Sequence, residues 1–379
     1  MTSAFLVLDD GTIFNGEPWV GVGESFGEAV FSTGMTGYQE TLTDPSYHRQ
    51  VVIMTAPHIG NTGVNRQDME SRQIWVSGFV VRDPSPIVSN WRADSSLEEE
   101  LAKFGVLGIA GVDTRAITRH LRDCGAMRVG IFSGVDLSHE EMVRRVRSSK
   151  AMKGAYLAND VSTSSPVIIP AIGERKFRVA ALDLGIKDAT PRNMAMRGIE
   201  TTLLPVNTTY SFIRENDFDG LFLSNGPGDP ATMNEVVAMV REALADSLPI
   251  FGICFGHQIL GRALGFETYK LRFGHRGINQ PVLNTITGKV EITAHNHGFA
   301  VDAPLDGEFA TVYGSGRVSH INLNDRVVEG LKMNDRPAFS VQYHPEAAAG
   351  PHDANYLFDD FADMLADSQR LRGRDRASR

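Results

Sequence analysis

The chain of 379 residues holds two cysteines, and one of them, Cys254, lies in a context that favours covalent chemistry. The apolar run Ile250–Ile253 leads into Gly252-Ile253-Cys254-Phe255-Gly256, and a helix-compatible stretch follows. Such a pattern predicts a sharp strand-to-helix turn that lifts the nucleophile above a sheet, with glycine on both sides because a Cβ there would clash. The helix N-terminus would favour thiolate over thiol, and the Phe255 N–H would suit an oxyanion. Taken alone, the five residues are equally compatible with a buried structural cysteine.

A nucleophilic cysteine needs a base, and His344 is the best candidate among eleven histidines. The stretch Ala338–Tyr343 before it has the composition of a strand, and Pro345 biases His344 toward an extended conformation. Residues two apart share a face of an extended chain, so Glu346 could hold one imidazole nitrogen while the other faces Cys254. These are the three roles of a catalytic triad. An isolated His-Pro-Glu is also typical of a surface loop.

A glycine-rich segment, Asn225-Gly226-Pro227-Gly228-Asp229-Pro230, follows the apolar run Gly220–Leu223. Proline has no N–H, so Gly226 and Gly228 are the available backbone donors. At the carboxyl end of a parallel strand, such a loop could supply a second oxyanion contact. An ordinary tight turn is the alternative interpretation.

A metal site is the competing interpretation for His295 and His297, because His-x-His on a strand can chelate a metal. No further Cys, His or carboxylate follows at ligand spacing, so we predict no metal ligand in this chain. The chain also lacks a Walker-type phosphate loop, and we predict no cofactor bound to it.

The elements that must position these residues read as an α/β fold in the second half of the chain. The runs RVAALDLG, TTLLPV, GLFLSN and PIFGIC are short and continuously apolar, and the first three precede polar or helix-compatible stretches. That alternation predicts βαβ units around a mainly parallel sheet that is buried on both faces and flanked by helices.

The first half of the chain has a different pattern. The runs FLVLDDGTIF, EAVFSTGMTGY, VVIMTAP and WVSGFVVRD predict a mostly β domain. Helices are expected at Asp113–Cys124, with Asp113 as N-cap, and near Ser138–Ser148. We therefore predict an N-terminal domain over residues 1–155, a Ser/Thr/Pro-rich linker over 156–176 and a second domain over 177–379.

Composition narrows the class of protein. Hydrophobic residues make up 42% and charged residues 22%, the balance of a soluble globular protein. A net charge of −9 argues against a nucleic-acid partner, which needs a surplus of Lys and Arg. No apolar run approaches the roughly 20 residues of a membrane span, and the N-terminus does not resemble a signal peptide. The scarcity of cysteine predicts a cytoplasmic protein without a disulfide framework.

The motifs SNGPGDP, GICFGHQ and HPEA, in that order and spacing, resemble the class I, triad-type glutamine amidotransferases over about residues 178–365. MTGYQETLTDPSYHRQ, AGVDTRAITRHLR and HNHGFAVD are similar to the small-subunit family of carbamoyl-phosphate synthases, so the resemblance spans nearly the whole chain. Two departures are visible. Phe255 stands where the family commonly has Leu, and LDLGIKDATPRNM only partly follows the pattern D-x-G-x-K-x-N-I. We expect the latter segment to bear on domain packing more than on chemistry.

The resemblance implies that Cys254 attacks the glutamine side-chain amide, that His344 moves protons and that Glu346 orients His344. It further implies that the Phe255 N–H and a glycine of the GPGDP loop receive the oxyanion. The glutamine-binding positions that it implies are Ser46, Gly226, Gly228, Phe255, Gln258, Asn296, Gly298 and Phe299.

The resemblance also implies a partner. A large synthetase subunit, with ATP and Mg²⁺, would join bicarbonate and ammonia into carbamoyl phosphate for arginine and pyrimidine synthesis, and the N-terminal domain would contact it. Two alternatives stay open at this point: an amidotransferase subunit of a different synthase, and a non-catalytic regulatory module that keeps the fold.

Overall fold

The computed structural model describes residues 3–377, with the backbone alone at 372–377. The chain forms two compact units. One contains the residues up to Ala155 together with Leu271–Gly277, and the other contains Tyr156–Lys270 and the residues from Ile278 onward. The segment Leu271–Gly277, which the sequence analysis assigned to the second domain, therefore packs with the first unit. Two contacts explain this: Phe273 packs against Phe31 with ring centroids 6.0 Å apart, and the Ala126 N–H donates to the Arg272 carbonyl at 2.7 Å.

The N-terminal unit is built around a closed barrel of seven strands in the order β1-β2-β8-β6-β4-β3-β9. The strands of this unit are β1 (Ala4–Leu8), β2 (Ile13–Val20), β3 (Gly23–Ser32), β4 (Gln50–Met54), β5 (His58–Ile59), β6 (Gly78–Val80), β7 (Asp83–Pro84), β8 (Leu107–Ala110) and β9 (Arg128–Ser133). Its helices are α1 (Tyr38–Thr43), α2 (Leu97–Lys103), α3 (Thr114–Cys124) and α4 (His139–Ser148). The barrel confirms the strand-rich N-terminal region.

Both helices predicted in this unit are present, and each begins at a side-chain cap. The Asp113 carboxylate accepts the Ala116 N–H at 3.0 Å, and the Ser138 hydroxyl accepts the Glu141 N–H at 3.2 Å. These bonds satisfy N–H groups that the first turn of a helix leaves without a partner.

The C-terminal unit contains a large mixed sheet in the order β10-β12-β11-β13-β14-β20-β19-β18-β15-β16, with β17 paired to β18. Its strands are β10 (Val167–Ile169), β11 (Phe177–Leu182), β12 (Ile199–Leu204), β13 (Gly220–Leu223), β14 (Ile250–Ile253), β15 (Glu267–Asn284, except Leu271–Gly277), β16 (Val290–Asp302), β17 (Glu308–Thr311), β18 (Gly314–Asn322), β19 (Val328–Met333) and β20 (Ala338–Val341). Its helices are α5 (Ala158–Val161), α6 (Ala189–Ala195), α7 (Tyr210–Glu215), α8 (Asn234–Ala245), α9 (Phe255–Ala263) and α10 (Leu357–Ala377).

The centre of this sheet is parallel and covered on both faces, as predicted. Strands β12, β11, β13, β14 and β20 run parallel to one another. Along β11, Val179 and Ala181 face the layer that contains α10, whereas Ala180 and Leu182 face the layer that contains α8 and α9. The period of two in a pleated strand sends alternate side chains to these two cores.

The predicted linker, residues 156–176, contains helix α5 and the edge strand β10, which pairs antiparallel with β12. Its function as a linker between domains stays a prediction. Among the helices that the structure describes, none combines the length with the apolar composition that a membrane span requires.

Candidate active site

Cys254 sits at the turn between β14 and α9, with φ of 54° and ψ of −101°. Positive φ is uncommon for a residue with a Cβ, and such strained conformations occur often at functional sites. The Cys254 N–H donates to the Val341 carbonyl at 2.8 Å, which holds the turn against β20. The turn is therefore fixed in place although its backbone conformation is unfavourable.

Glycine is required on both sides of this turn. A Cβ on Gly256 would lie 2.1 Å from the Leu223 carbonyl oxygen, and one on Gly252 would lie 2.8 Å from the Gly256 carbonyl carbon. Both neighbours are backbone atoms, which cannot move aside as a side chain can. The steric reason for the Gly-x-Cys-x-Gly pattern is confirmed.

The Cys254 side chain is buried, and its Sγ lies 3.6 Å from the Asn296 carbonyl oxygen on β16. Phe255 is the first residue of α9, so its N–H has no acceptor within the helix. The N-terminal end of α9 is thus next to the thiol.

His344 and Glu346 form a buried pair, with His344 Nδ1 2.8 Å from Glu346 Oε1. The contact differs in one respect from the predicted extended segment. Strand β20 ends at Val341, and a turn follows in which the Ala347 N–H donates to the His344 carbonyl at 3.2 Å. The turn, rather than strand alternation, brings the carboxylate back to the imidazole.

Lys187 is a member of this cluster that the sequence analysis missed. Its Nζ lies 2.9 Å from Glu346 Oε1, the same oxygen that contacts His344, and its side chain is 7% exposed. The segment LDLGIKDATPRNM therefore bears on the charge of the site, and the expectation that it serves mainly packing was wrong. The lysine of D-x-G-x-K was the available signal.

The charges of this cluster set the protonation states. Burial raises the pKa of Glu346, but Lys187 and His344 lower it by a larger amount, and the resulting pKa is about 2. Burial and Lys187 lower the pKa of His344, but Glu346 and the Cys254 thiol outweigh them and raise it to about 10. Within residues 3–377, His344 Nε2 makes no hydrogen bond of ordinary geometry, and the Cys254 thiol is close enough to raise the pKa of His344. At neutral pH the carboxylate is ionised and the imidazole carries a proton.

The GPGDP loop follows β13 and is held by close backbone packing. A Cβ on Gly226 would lie 2.0 Å from the Leu184 carbonyl oxygen, and Gly228 has φ of 102°, a value that favours glycine. Asp229 closes the loop by accepting the Ala231 N–H at 2.9 Å. Both glycines are therefore needed for the conformation of the loop.

Known proteins resemble the chain along nearly its whole length. Residues 6–131 match the family model "Carbamoyl-phosphate synthase small chain, CPSase domain", and residues 180–364 match "Glutamine amidotransferase class-I". The "Carbamoyl phosphate synthase small chain" of Streptomyces coelicolor is 64% identical over 365 residues, which cover 96% of each chain. The proteins of that name from Mycobacterium leprae (97% of this chain, 99% of the relative) and Bifidobacterium longum (97% and 95%) are 58% and 54% identical.

The chain belongs to the carbamoyl phosphate synthase small-chain family. As a small chain with a class I glutamine amidotransferase domain, it is the glutamine-hydrolysing subunit. Of the alternatives left open by the sequence, an amidotransferase of another synthase is excluded by the match to the small-chain family.

The other predicted residues of the C-terminal unit differ in the hydrogen bonds that their side chains make. Gln258 is buried, and its Nε2 donates to the Phe299 carbonyl at 2.8 Å and to Gln342 Oε1 at 3.1 Å. Asn296 is 6% exposed, yet neither polar atom of its side chain finds a hydrogen-bond partner within the described chain. A buried amide of this kind is expected to meet a ligand or water. Gly298 lies between Asn296 and Phe299 on β16.

Ser46 lies in the N-terminal unit of the small chain, within the 3₁₀ turn Pro45–Tyr47. It is buried, and its N–H donates to Asp44 Oδ1 at 2.8 Å. Its assignment to glutamine stays a prediction.

His295 and His297 have a neighbour that the sequence analysis did not find. The Glu329 Oε1 atom, on β19, lies 3.7 Å from His295 Nδ1 and 3.9 Å from His297 Nε2. The sequence offers no third candidate nearby in the chain, whereas the sheet brings a carboxylate from a distant segment to the two histidines.

Proposed function

We propose that Cys254, His344 and Glu346 are the catalytic residues of the glutamine-hydrolysing reaction. The observation that carries this proposal is the buried His344–Glu346 pair at 2.8 Å, combined with a thiol at a strained turn that contributes to the raised pKa of His344. In the proposed reaction His344 accepts the proton of the thiol, and the nucleophile is the thiolate. The intact cluster argues against a non-catalytic regulatory module.

The chemistry proceeds in two halves. The Cys254 thiolate adds to the carboxamide carbon of glutamine, and His344 protonates the nitrogen as the C–N bond breaks and ammonia leaves. Water then attacks the γ-glutamyl thioester while His344 accepts its proton, and glutamate departs as the thiolate re-forms. Glu346 keeps the imidazole in one orientation and stabilises its positive charge in both halves.

Two backbone donors would stabilise the tetrahedral oxyanion. The Phe255 N–H, at the first position of α9, is one, and a glycine N–H of the GPGDP loop, from Gly226 or Gly228, is the other. Each such donor is worth about 2.7–4 kcal/mol in comparable sites. Because the contact is made by the backbone, phenylalanine in place of the leucine common in the family is compatible with it.

Further residues would bind glutamine. Both hydrogens of the Gln258 amide are used within the protein, so this side chain would offer its Oε1 as an acceptor. Asn296 would use the polar atoms that lack a protein partner. The remaining binding positions in the proposal are Ser46, Gly226, Gly228, Phe255, Gly298 and Phe299.

The ammonia would pass to a large synthetase subunit, contacted by the N-terminal unit, which holds ATP and Mg²⁺ and consumes bicarbonate to form carbamoyl phosphate. Support comes from the family, whose members are named small chains, and from the chemistry, because ammonia released into water at pH 7 is mostly ammonium. We place this reaction in the cytoplasm and assign its product to arginine and pyrimidine synthesis.

The variant Cys254→Ser tests the proposal in the complex with the large subunit. We expect glutamine-dependent carbamoyl phosphate synthesis to be lost and ammonia-dependent synthesis to be retained, because only the glutaminase half needs the thiol. Cys124→Ser is the matched control, since Cys124 is an exposed cysteine on the last turn of α3. Normal glutamine use by Cys254→Ser would overturn the assignment of the nucleophile.

A further inference from the structure

Two histidines and a glutamate lie together inside the C-terminal unit, and the proposed glutaminase chemistry does not use them. His295 and His297 are two apart on β16, so their side chains project from the same face of the strand. Glu329 lies on β19 in the same sheet. All three side chains are at most 1% exposed.

Hydrogen bonds to the outer nitrogens fix the tautomers of both histidines. His297 Nδ1 lies 2.9 Å from the Phe299 carbonyl, which can only accept, so Nδ1 carries the proton. His295 Nε2 lies 2.7 Å from Thr293 Oγ1, and this hydroxyl already donates to the Gln280 carbonyl at 2.9 Å. The hydroxyl therefore accepts from His295 Nε2. In the neutral rings, the lone pairs are on the inner nitrogens, His295 Nδ1 and His297 Nε2.

The inner nitrogens and the carboxylate have the spacing of a coordination site. His295 Nδ1 and His297 Nε2 are 3.2 Å apart, and Glu329 Oε1 is 3.7 and 3.9 Å from them. Ligands about 2.0–2.1 Å from a tetrahedral ion are about 3.3–3.4 Å from one another. The two nitrogens already meet this distance, and the oxygen needs to move by roughly half an ångström.

The surroundings also match those of bound metals. Ligating histidines usually donate their second N–H to a carbonyl or another acceptor, and ligating carboxylates are themselves hydrogen-bonded. Both histidines satisfy the first condition. Asn322 Nδ2 donates to Glu329 Oε1 at 3.1 Å, which satisfies the second.

We propose that His295, His297 and Glu329 bind a divalent cation of the zinc class. Two imidazole nitrogens with one carboxylate oxygen suit Zn²⁺, whereas Ca²⁺ and Mg²⁺ prefer oxygen ligands alone. The competing explanation is a proton shared between the two rings, with the resulting imidazolium paired to Glu329.

The position of the ion suggests its effect. The residue between the two histidines is Asn296, whose carbonyl contacts the Cys254 thiol at 3.6 Å. The Phe299 carbonyl, which accepts from His297, also accepts from Gln258. A bound ion would fix the strand that carries these contacts. This effect on catalysis rests on the proposed function, but the binding of the ion does not.

Metal binding can be measured independently of activity. The full chain, stripped with a chelator, is titrated with ZnCl₂ by calorimetry and analysed for bound zinc after desalting. We expect one equivalent in the wild type and loss of that equivalent in His295→Gln and in Glu329→Gln. A second group of possible ligands, Asp10, His120 and Cys124, lies in the N-terminal unit, so His120→Gln is the matched control and should retain the zinc.

A spectroscopic measurement on the wild-type chain covers the case in which a variant fails to fold. Zinc K-edge X-ray absorption should show a first shell of nitrogen and oxygen at about 2.0–2.2 Å with imidazole scattering and without sulfur. Sulfur in that shell would assign the zinc to Cys254 or Cys124 and would overturn the proposal. Absence of zinc uptake by the folded wild type would also overturn it, in favour of the shared proton.

Discussion

Replacement of Lys187 by methionine is the sharpest test of the electrostatics of the site, because the substitution removes the charge and keeps most of the side-chain volume. Glu346 Oε1 accepts from Lys187 at 2.9 Å and from His344 at 2.8 Å, and both the lysine and the carboxylate are buried. In Lys187→Met, Glu346 keeps one of these two charged partners. The expected loss is therefore that of one charge-assisted hydrogen bond, about 1.5–3 kcal/mol in the free energy of unfolding.

The same loss of electrostatic stabilisation should also slow the hydrolysis of glutamine. With Lys187 absent, the buried cluster loses one positive charge, and less positive charge remains to stabilise a thiolate at Cys254. If the full 1.5–3 kcal/mol appears in the transition state, glutaminase kcat/KM falls by about 10- to 150-fold. Lys187 lowers the pKa of Glu346, so that pKa should also rise in the variant.

The assay is urea unfolding at pH 7 together with glutamate release, and the chain offers a matched control. Lys103 Nζ also lies 2.9 Å from a carboxylate oxygen, Glu100 Oε1, but its side chain is 64% exposed. A pair whose lysine is this exposed to water is worth at most about 1 kcal/mol, so Lys103→Met should change the unfolding free energy little and the glutaminase rate not at all. Equal unfolding curves and equal rates for the two variants would refute the reasoning.

Two other substitutions test the histidine and the turn. Glu346→Gln removes the carboxylate that raises the pKa of His344 to about 10, so that pKa should fall by about 1–3 units. Because His344 must hold a proton to release ammonia, the alkaline limb of the kcat/KM profile should move to lower pH, and an unmoved limb would contradict this. Gly256→Ala places a Cβ 2.1 Å from the Leu223 carbonyl oxygen and should lower the unfolding free energy by ~3 kcal/mol. Gly261→Ala, also in α9, meets the Val301 side chain at 2.8 Å and no backbone atom, so it should cost less; equal losses would show that the turn can relax.

Features that depend on neighbouring residues could be predicted from the sequence. The glycines on each side of Cys254 and the cap at Asp113 follow from steric and hydrogen-bonding rules that act over a few positions. The apolar runs that became β11 to β14 were recognisable for the same reason, since a strand buried on both faces needs apolar side chains throughout.

Features that depend on strand order could not be predicted in the same way. Lys187 meets Glu346, and Glu329 meets His295, only because the sheet brings distant segments together. The spacing of residues along the chain does not indicate which distant segments will come into contact. The turn after β20 was missed for a related reason: Pro345 disfavours helix but does not distinguish an extended segment from a turn.

The return of Leu271–Gly277 to the N-terminal unit has a consequence for synthesis on the ribosome. Domains generally fold as they emerge, but this unit lacks Phe273, the partner of Phe31, until more than a hundred further residues have been translated. We therefore expect the apolar surface around Phe31 to stay exposed to water while the strands of the parallel sheet are being translated. A fragment that stops at Ala155 would expose the same apolar surface permanently. The two units therefore cannot be separated by cleavage of a single peptide bond.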